Sequence, residues 1–185
     1  MALDSIESVL EDLKAGKIIV LIDDENRENE GDFVVAAEHI DVEKINFLTR
    51  VGGGYLCVAM TGEDCERLEL GPQCLTNTSV RGTPFTISDD GHPRHNVSTG
   101  ISASDRVKTI QLLTDESSRP DDFVRPGHIN PLRAREGGVL ARTGQTEGSV
   151  DLCQLAGLKP AAAIIEVVRE DGEMARVPDL EKICE

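Results

Sequence analysis

Six of the ten residues in 23–32 (DDENRENEGD) are carboxylates: Asp23, Asp24, Glu25, Glu28, Glu30 and Asp32, offset only by Arg27. Acids this dense are costly unless water solvates them or a cation binds them. Oxygen donors on a loop suit Mg2+, which keeps several waters and takes one or two carboxylates plus substrate oxygens. The spacing is not that of an EF-hand, because the glycine and the final Glu fall in the wrong places. A solvated surface turn has the same composition, and spacing alone leaves both readings open.

A second stretch, residues 125–147 (RPGHINPLRAREGGVLARTGQTE), has the opposite character. Its first 18 residues carry Arg125, Arg133, Arg135 and Arg142 against the single acid Glu136, a local charge of +3 in a chain of net charge −15. Arginine forks and glycine-opened backbone N–H groups suit a phosphomonoester. Thr143, Gly144, Gln145 and Thr146 stand just before an expected helix, which Thr146 can cap while free N–H groups face an anion. The alternative is a structural loop whose arginines pair with the acidic surface. His128, between Gly127 and Ile129, is a proton-transfer candidate because histidine is the side chain suited to proton exchange near physiological pH, although a loop histidine also serves as a plain surface or core residue. Glu166 is the one acid in AAAIIEVV. A carboxylate in an apolar strand is paired, functional or at a strand edge. Asp105, in Ser104-Asp105-Arg106, reads as a charge in the first turn of a helix, and His39, His92 and His95 read as surface residues.

The elements that must position these groups follow from periodicity. Asp4 and Glu7 resemble a capping box, and Ile6, Val9, Leu10 and Leu13 predict a helix ending at Gly16. Residues 17–23 (KIIVLID), 32–38 (DFVVAAE), 55–60, 83–88 (TPFTIS) and 161–168 predict strands. Residues 42–50, 63–70, 104–114 and 148–156 predict helices. Residues 89–101 (DDGHPRHNVSTGI) read as loop, 125–148 as Gly-, Pro- and Arg-rich chain with brief apolar stretches, and Asp171-Gly172 as a hairpin turn. Helices and strands mix along the whole length, which predicts a single layered domain over residues 1–185.

Composition bounds the class. The chain has 185 residues, 39% hydrophobic and 29% charged, with a mean hydropathy of −0.23, values of a globular protein rather than a disordered or collagen-like one. The longest apolar runs fall short of the ~20 residues that span a bilayer. Acids interrupt the apolar positions of the N-terminal MALDSIESVLEDL, unlike a signal peptide. The expectation is a cytoplasmic protein without membrane partners. A net charge of −15 repels phosphate backbones and argues against nucleic acid. Five cysteines with no CxxC pair argue against a disulfide framework or a zinc ribbon.

Together these segments resemble one family, 3,4-dihydroxy-2-butanone 4-phosphate synthase of riboflavin biosynthesis. The matching stretches are DDENRENEGDFVVAAE at 23–38, TGISASDRVKTI at 99–110 and RPGHINPLRAREGGVLARTGQTEGSVDLCQLAGLKPAAAIIE at 125–166. Weaker similarity at 55–63, 77–79 and 82–88 fills most of the space between. The resemblance implies an α+β fold, a three-layer α/β/α sandwich around a mixed, twisted sheet. It implies a homodimer with each active site at the subunit interface, and a lyase. That lyase would convert D-ribulose 5-phosphate to 3,4-dihydroxy-2-butanone 4-phosphate and formate with Mg2+, or Mn2+ as a substitute.

By motif position, Glu28 and Gln145 would bind the metal. Arg27, Glu28, Glu30, Asp32 and Glu166 would contact the sugar or support the metal, Arg142, Thr143, Gly144, Gln145 and Thr146 would hold the phosphate, and His128 and Glu166 would be catalytic. Gln145 departs from the family, whose G-H-T-E carries a metal-binding histidine there. The glutamine oxygen reaches about as far and is a donor that Mg2+ favours, but it cannot titrate. A rival expectation is therefore a synthase-like protein that binds the phosphosugar and turns it over poorly. The chain also ends at Glu185, soon after MARVPDL, where family members usually continue, and contains no GTP cyclohydrolase II half.

Overall fold

Strand-length runs of β-branched and small apolar residues build a mixed six-stranded sheet in the computed structural model, which describes residues 3–184. The strands are β1 (Ile19–Ile22), β2 (Gly31–Ala36), β3 (Cys57–Met60), β4 (Asp89–Gly91), β5 (Phe123–Arg133) and β6 (Ala161–Glu166). Their order across the sheet is β1-β2-β6-β3-β5-β4. Only β3 and β5 run parallel; the other neighbours are antiparallel. Asp32 lies opposite Glu166 in the β2–β6 pair, and Cys57 opposite both Ile164 and Asn130. The C-terminal strand therefore sits in the middle of the sheet and carries Glu166 beside Asp32.

Helices cover both faces, as the expected three layers require. On one face α2 (Val42–Phe47), α3 (Gly62–Arg67), α4 (Ala103–Leu113) and α6 (Val177–Cys184) bring Ile45, Cys65, Ile110 and Leu180 against Val35, Val58 and Ile165. On the other, α5 (Gln145–Leu155) packs Val150 and Cys153 onto Val34, Cys57, Ala59 and Ile164. Leu13 of α1 (Ile6–Lys14) packs beyond it against Leu152 and Ala156. Burial pushes the thiols of Cys65 and Cys153 up to about 12, so both are inert core residues. Among the described residues no helix is long and apolar enough to cross a membrane.

The expectations fail where turn-forming residues carry extended chain. The strand expected at 83–88 is not one: only Phe85 and Thr86 form isolated bridges. Pro84 has no N–H to offer a ladder, and it lends its carbonyl to the Arg133 N–H (3.0 Å). Within the expected loop 89–101 lies β4, and the longest stretch of strand in the sheet, β5, occupies part of the segment expected to be irregular. Pro131 is tolerated there because its carbonyl accepts from the Thr86 N–H (3.0 Å) and hydroxyl (2.9 Å). Its nitrogen faces the same side, so the missing donor removes no rung shared with β3. The helix at 42–50 turns π-helical over Leu48–Gly52. Ser5 rather than Asp4 caps α1. The helix expected from Gly148 begins at Gln145, with Gly144 as its N-cap, so Thr146 lies inside the first turn and caps nothing. The hairpin turn at Asp171-Gly172 is present, closed by the Arg169 N–H to Glu173 carbonyl bond (2.8 Å).

Asp105 does more than charge a first turn. Ser102 caps α4 by accepting from the Asp105 N–H, and the buried Asp105 carboxylate reaches back to the Ser98 hydroxyl (2.6 Å), the Ser98 N–H (3.1 Å) and the Gly100 N–H (3.3 Å). These donors, the Ser98 hydroxyl first, lower its carboxyl to about 2. A carboxyl lowered on folding stabilises the fold above its unfolded value and loses that contribution as pH falls through the folded one. Asp105→Asn should therefore cost about 2 kcal/mol at neutral pH. The gap should narrow from about pH 4 and close near pH 2. Denaturant midpoints across that range test this, and a gap independent of pH would contradict it.

Candidate active site

The acidic segment is an organised loop rather than a solvated turn. Asp23 directly follows β1, with its side chain 3% exposed. It accepts from the N–H groups of Glu28 (3.0 Å) and Glu30 (2.9 Å) and from Arg27 Nη1 (2.8 Å). Burial opposes its charge, but these donors outweigh burial and hold its carboxyl below the ordinary value. Asn29 takes the left-handed conformation (φ +54°), and Arg176 donates to the carbonyls of Glu28 and Asn29. Asp24 and Glu25 stay exposed outside this knot.

The second wall is the start of α5. Its first N–H groups have no acceptor within the helix, and Arg142 lies beside them with Nη1 2.6 Å from Glu147 Oε2. Glu147 is wholly buried and its other oxygen accepts from the Arg135 N–H (3.1 Å). A Cβ at Gly144 would run into the Arg142 guanidinium and press on that of Arg27, so a side chain there would displace the arginine heads that face the helix start. Two other arginines of the basic segment, Arg125 and Arg133, are paired elsewhere. Arg125 pairs with Asp89 (2.5 Å) and Arg133 with Glu66 (2.5 Å).

The floor comes from the sheet. Asp32 is buried, and burial together with Glu166, Glu30, Glu28 and Asp23 drives its carboxyl well above the ordinary value. Burial and the neighbouring Glu28 raise Glu30 as well. Glu166 Oε2 accepts from the Tyr55 N–H at 2.7 Å, while the Tyr55 hydroxyl donates to Asn130 Oδ1 at 2.8 Å. Cys57 lies here too, its thiol pushed up by burial and by Glu166 and Asp32, so it supplies no thiolate. Gly54 makes room for Glu166: a Cβ on it would stand 2.5 Å from the Glu166 carbonyl oxygen and 2.6 Å from Oε2. Gly54→Ala should lose on the order of 1–3 kcal/mol of stability. Urea unfolding tests this, and an unchanged midpoint would mean that the chain yields freely there.

These three walls enclose a cavity of about 150 Å3 that gathers Arg27, Glu28, Glu30, Asp32, Tyr55, Cys57, Arg142, Gln145, Thr146 and Glu166. Thr143 and Gly144 lie instead on an adjoining cavity of about 230 Å3, which Gln145 shares. His128 lines neither: it stands on β5 with 45% of its side chain exposed. Tyr55 and Glu147 go beyond the candidates read from sequence, and Asp23, counted there only as one acid of the cluster, proves to be the loop's support. Tyr55 had only the signal of being the one tyrosine, and Asp23 and Glu147 act through buried bonds that spacing does not reveal.

Arg27 Nη1 tests whether the donors suit a metal. This cationic nitrogen is held by three oxygens at once: Asp23 Oδ2 (2.8 Å), Glu28 Oε2 (2.5 Å) and Gln145 Oε1 (3.0 Å). Glu28 and Gln145 thus point at one position with oxygen donors, the chemistry of Mg2+ rather than of zinc. Among the described residues no group of three or more His, Cys, Asp or Glu side chains is arranged to hold a metal ion. The fit is to an ion that draws its remaining ligands from water and substrate.

The family model for 3,4-dihydroxy-2-butanone 4-phosphate synthase matches residues 7–185. The chain belongs to that family. Riboflavin biosynthesis protein RibBA of Aquifex aeolicus is 52% identical over 177 residues, 96% of this chain and 44% of the relative, and that of Parabacteroides distasonis is 52% identical over 182 residues, 98% and 45%. The chain therefore spans less than half the length of these curated relatives. Among solved synthase structures, the two-domain RibBX of A. baumannii is 42% identical (TM-score 0.93, covering 98% of this chain and 53% of that one). A synthase in complex with two magnesium ions is 38% identical (TM-score 0.93, 98% and 89%). The Candida albicans synthase is 44% identical (TM-score 0.89, 99% and 90%). The three-layer α+β architecture is thus that of the synthase family.

Proposed function

We propose that the chain converts D-ribulose 5-phosphate to 3,4-dihydroxy-2-butanone 4-phosphate and formate. The observation that carries this reading is the single cavity in which Glu28, Glu30 and Asp32 of the carboxylate-rich loop meet Glu166 and, at the start of α5, Arg142, Gln145 and Thr146. Arg142 and the N–H groups of the first turn of α5 hold the phosphate. Arg27, Asp32 and Glu30 face the sugar hydroxyls, with the raised Asp32 carboxyl available as a donor. Glu28 and Gln145 would hold a divalent ion, Mg2+ or Mn2+ in its place, which when bound would supply positive charge to stabilise the sugar oxygens. Glu166 keeps Oε2 on the Tyr55 N–H and offers Oε1 for proton transfer. Loss of the C3 hydroxyl, skeletal migration and return of water then release formate, which balances the atoms of the substrate.

A homodimer with the active site at the subunit interface belongs to the same reading: His128 does not line the cavity of its own chain, and a second copy would bring it there. Gln145 favours a second, weaker version of the activity, since its amide oxygen bonds to Arg27 and cannot take up a proton. Formate release from D-ribulose 5-phosphate and Mg2+, with a chelated control and Gln145→His alongside, separates these readings. Metal-dependent formate from the protein itself supports the synthase with Gln145 as a working ligand. Formate only from Gln145→His supports the impaired version, and silence from both contradicts the proposal.

A further inference from the structure

We infer that Asp90 is a positioning residue for His128, fixing the imidazole with its proton on Nδ1 and its Nε2 free to exchange protons with substrate. The inference rests on His128 taking part in the reaction proposed above. The β4–β5 pairing breaks register abruptly, with Asp89 opposite Ile129 and Asp90 opposite Val124, so residues 125–128 are extruded from the ladder. Both ends of the extrusion are anchored. Arg125 bonds to Asp89 Oδ1 (2.5 Å) and to the Leu68 carbonyl (2.6 Å), and Ile129 is fully buried. His128 stands at the far end of this bulge.

Asp90 commits both of its oxygens to His128. Oδ1 accepts from the His128 N–H at 2.9 Å, and Oδ2 lies 2.7 Å from Nδ1. A carboxylate at that distance from a ring nitrogen accepts its N–H, so the proton sits on Nδ1 and Nε2 is the nitrogen left to face a reaction partner. The two bonds together fix where the ring starts and which way it turns. Asp90 is buried whereas the ring is 45% exposed. Burying an acid is costly, and a surface histidine with no task does not require it.

The carboxylate is also held from behind. Gly100, at φ +86°, packs so tightly on Asp90 that a Cβ there would run into the carboxylate, and its N–H is tied to Asp105. The TGIS stretch at 99–102 thus acts as a backstop for the pair.

In Asp90→Asn the backbone N–H retains Oδ1, and the amide nitrogen then faces Nδ1 as a donor, which forces the proton onto Nε2. The test is the tautomer of His128, read from its ring nitrogens in 15N-histidine-labelled protein and assigned with His128→Gln, together with steady-state formate release. The expected result is Nδ1–H in the unaltered protein and Nε2–H in Asp90→Asn. With it should come a fall in kcat of roughly 100-fold or more, little change in KM, and partial recovery in Asp90→Glu. Nε2–H in the unaltered protein, or an unchanged tautomer in Asp90→Asn, overturns the inference without any reference to activity. An inactive His128→Gln beside a fully active Asp90→Asn overturns the positioning role alone. A fully active His128→Gln overturns the reading of His128, and the inference with it.

Discussion

Glu28→Gln should abolish metal-dependent formate release, lowering it by about 1,000-fold or more, or about 4 kcal/mol of transition-state stabilisation. The substitution keeps the side chain's size but removes its charge. Its amide nitrogen can also face Arg27 Nη1, setting donor against donor where Oε2 now accepts at 2.5 Å. With Gln145 as the other proposed ligand, a neutral amide at position 28 leaves two neutral donors for a dication. The fold should be spared, because Asp23 organises the loop through the backbone N–H groups of residues 28 and 30, not through the Glu28 side chain. Formate production and direct Mn2+ binding should be lost together while the unfolding midpoint stays put. Retained turnover would remove Glu28 from the metal site.

Glu147→Ala should be the most destabilising single change at the site, at about 3–5 kcal/mol. Glu147 is 0% exposed and Arg142 only 10% exposed, and the alanine strands Arg142 without its partner and the Arg135 N–H without an acceptor. Buried pairs broken from one side cost more than the pair contributes, because the remaining charge has lost both water and partner. Glu147→Gln keeps an acceptor for Arg135 and should lose less. In both variants a displaced Arg142 should raise the KM for the phosphosugar more than it lowers kcat. Urea unfolding and steady-state kinetics check the two halves separately; a midpoint within experimental scatter of the unaltered protein would contradict the burial argument.

The strands visible in the sequence were those buried along nearly their whole length, which read as short continuous apolar runs. The runs at 19–22, 31–36, 57–60 and 161–166 are β-branched or small and apolar, and their neighbours change character sharply. β5 was hidden because Pro126, Gly127 and Pro131 are turn formers by composition, while the bulge and the side on which Pro131 faces are tertiary facts. The site divides the same way. The two charged segments announced themselves by density, and the family's motifs placed Arg27, Glu28, Asp32, Arg142, Gln145, Thr146 and Glu166, which line one cavity. What no spacing could reveal is the support: Asp23 beneath the loop, Glu147 beneath Arg142, the Tyr55 N–H on Glu166 and Asp90 on His128. Each acts through a bond to a residue at least several positions away.

The place of β6 between β2 and β3 has a kinetic consequence. Residues 161–166 are the last strand of the sheet to leave the ribosome, yet they fill its centre, so the hydrogen-bonding edges of β2 and β3 wait for them. Pairings that span more than 100 residues, such as Cys57 with Ile164, carry a large loop-closure cost and fold slowly. Nascent chains that have not reached residue 166 expose two apolar strand edges, so co-translational aggregation and chaperone dependence should concentrate in that window.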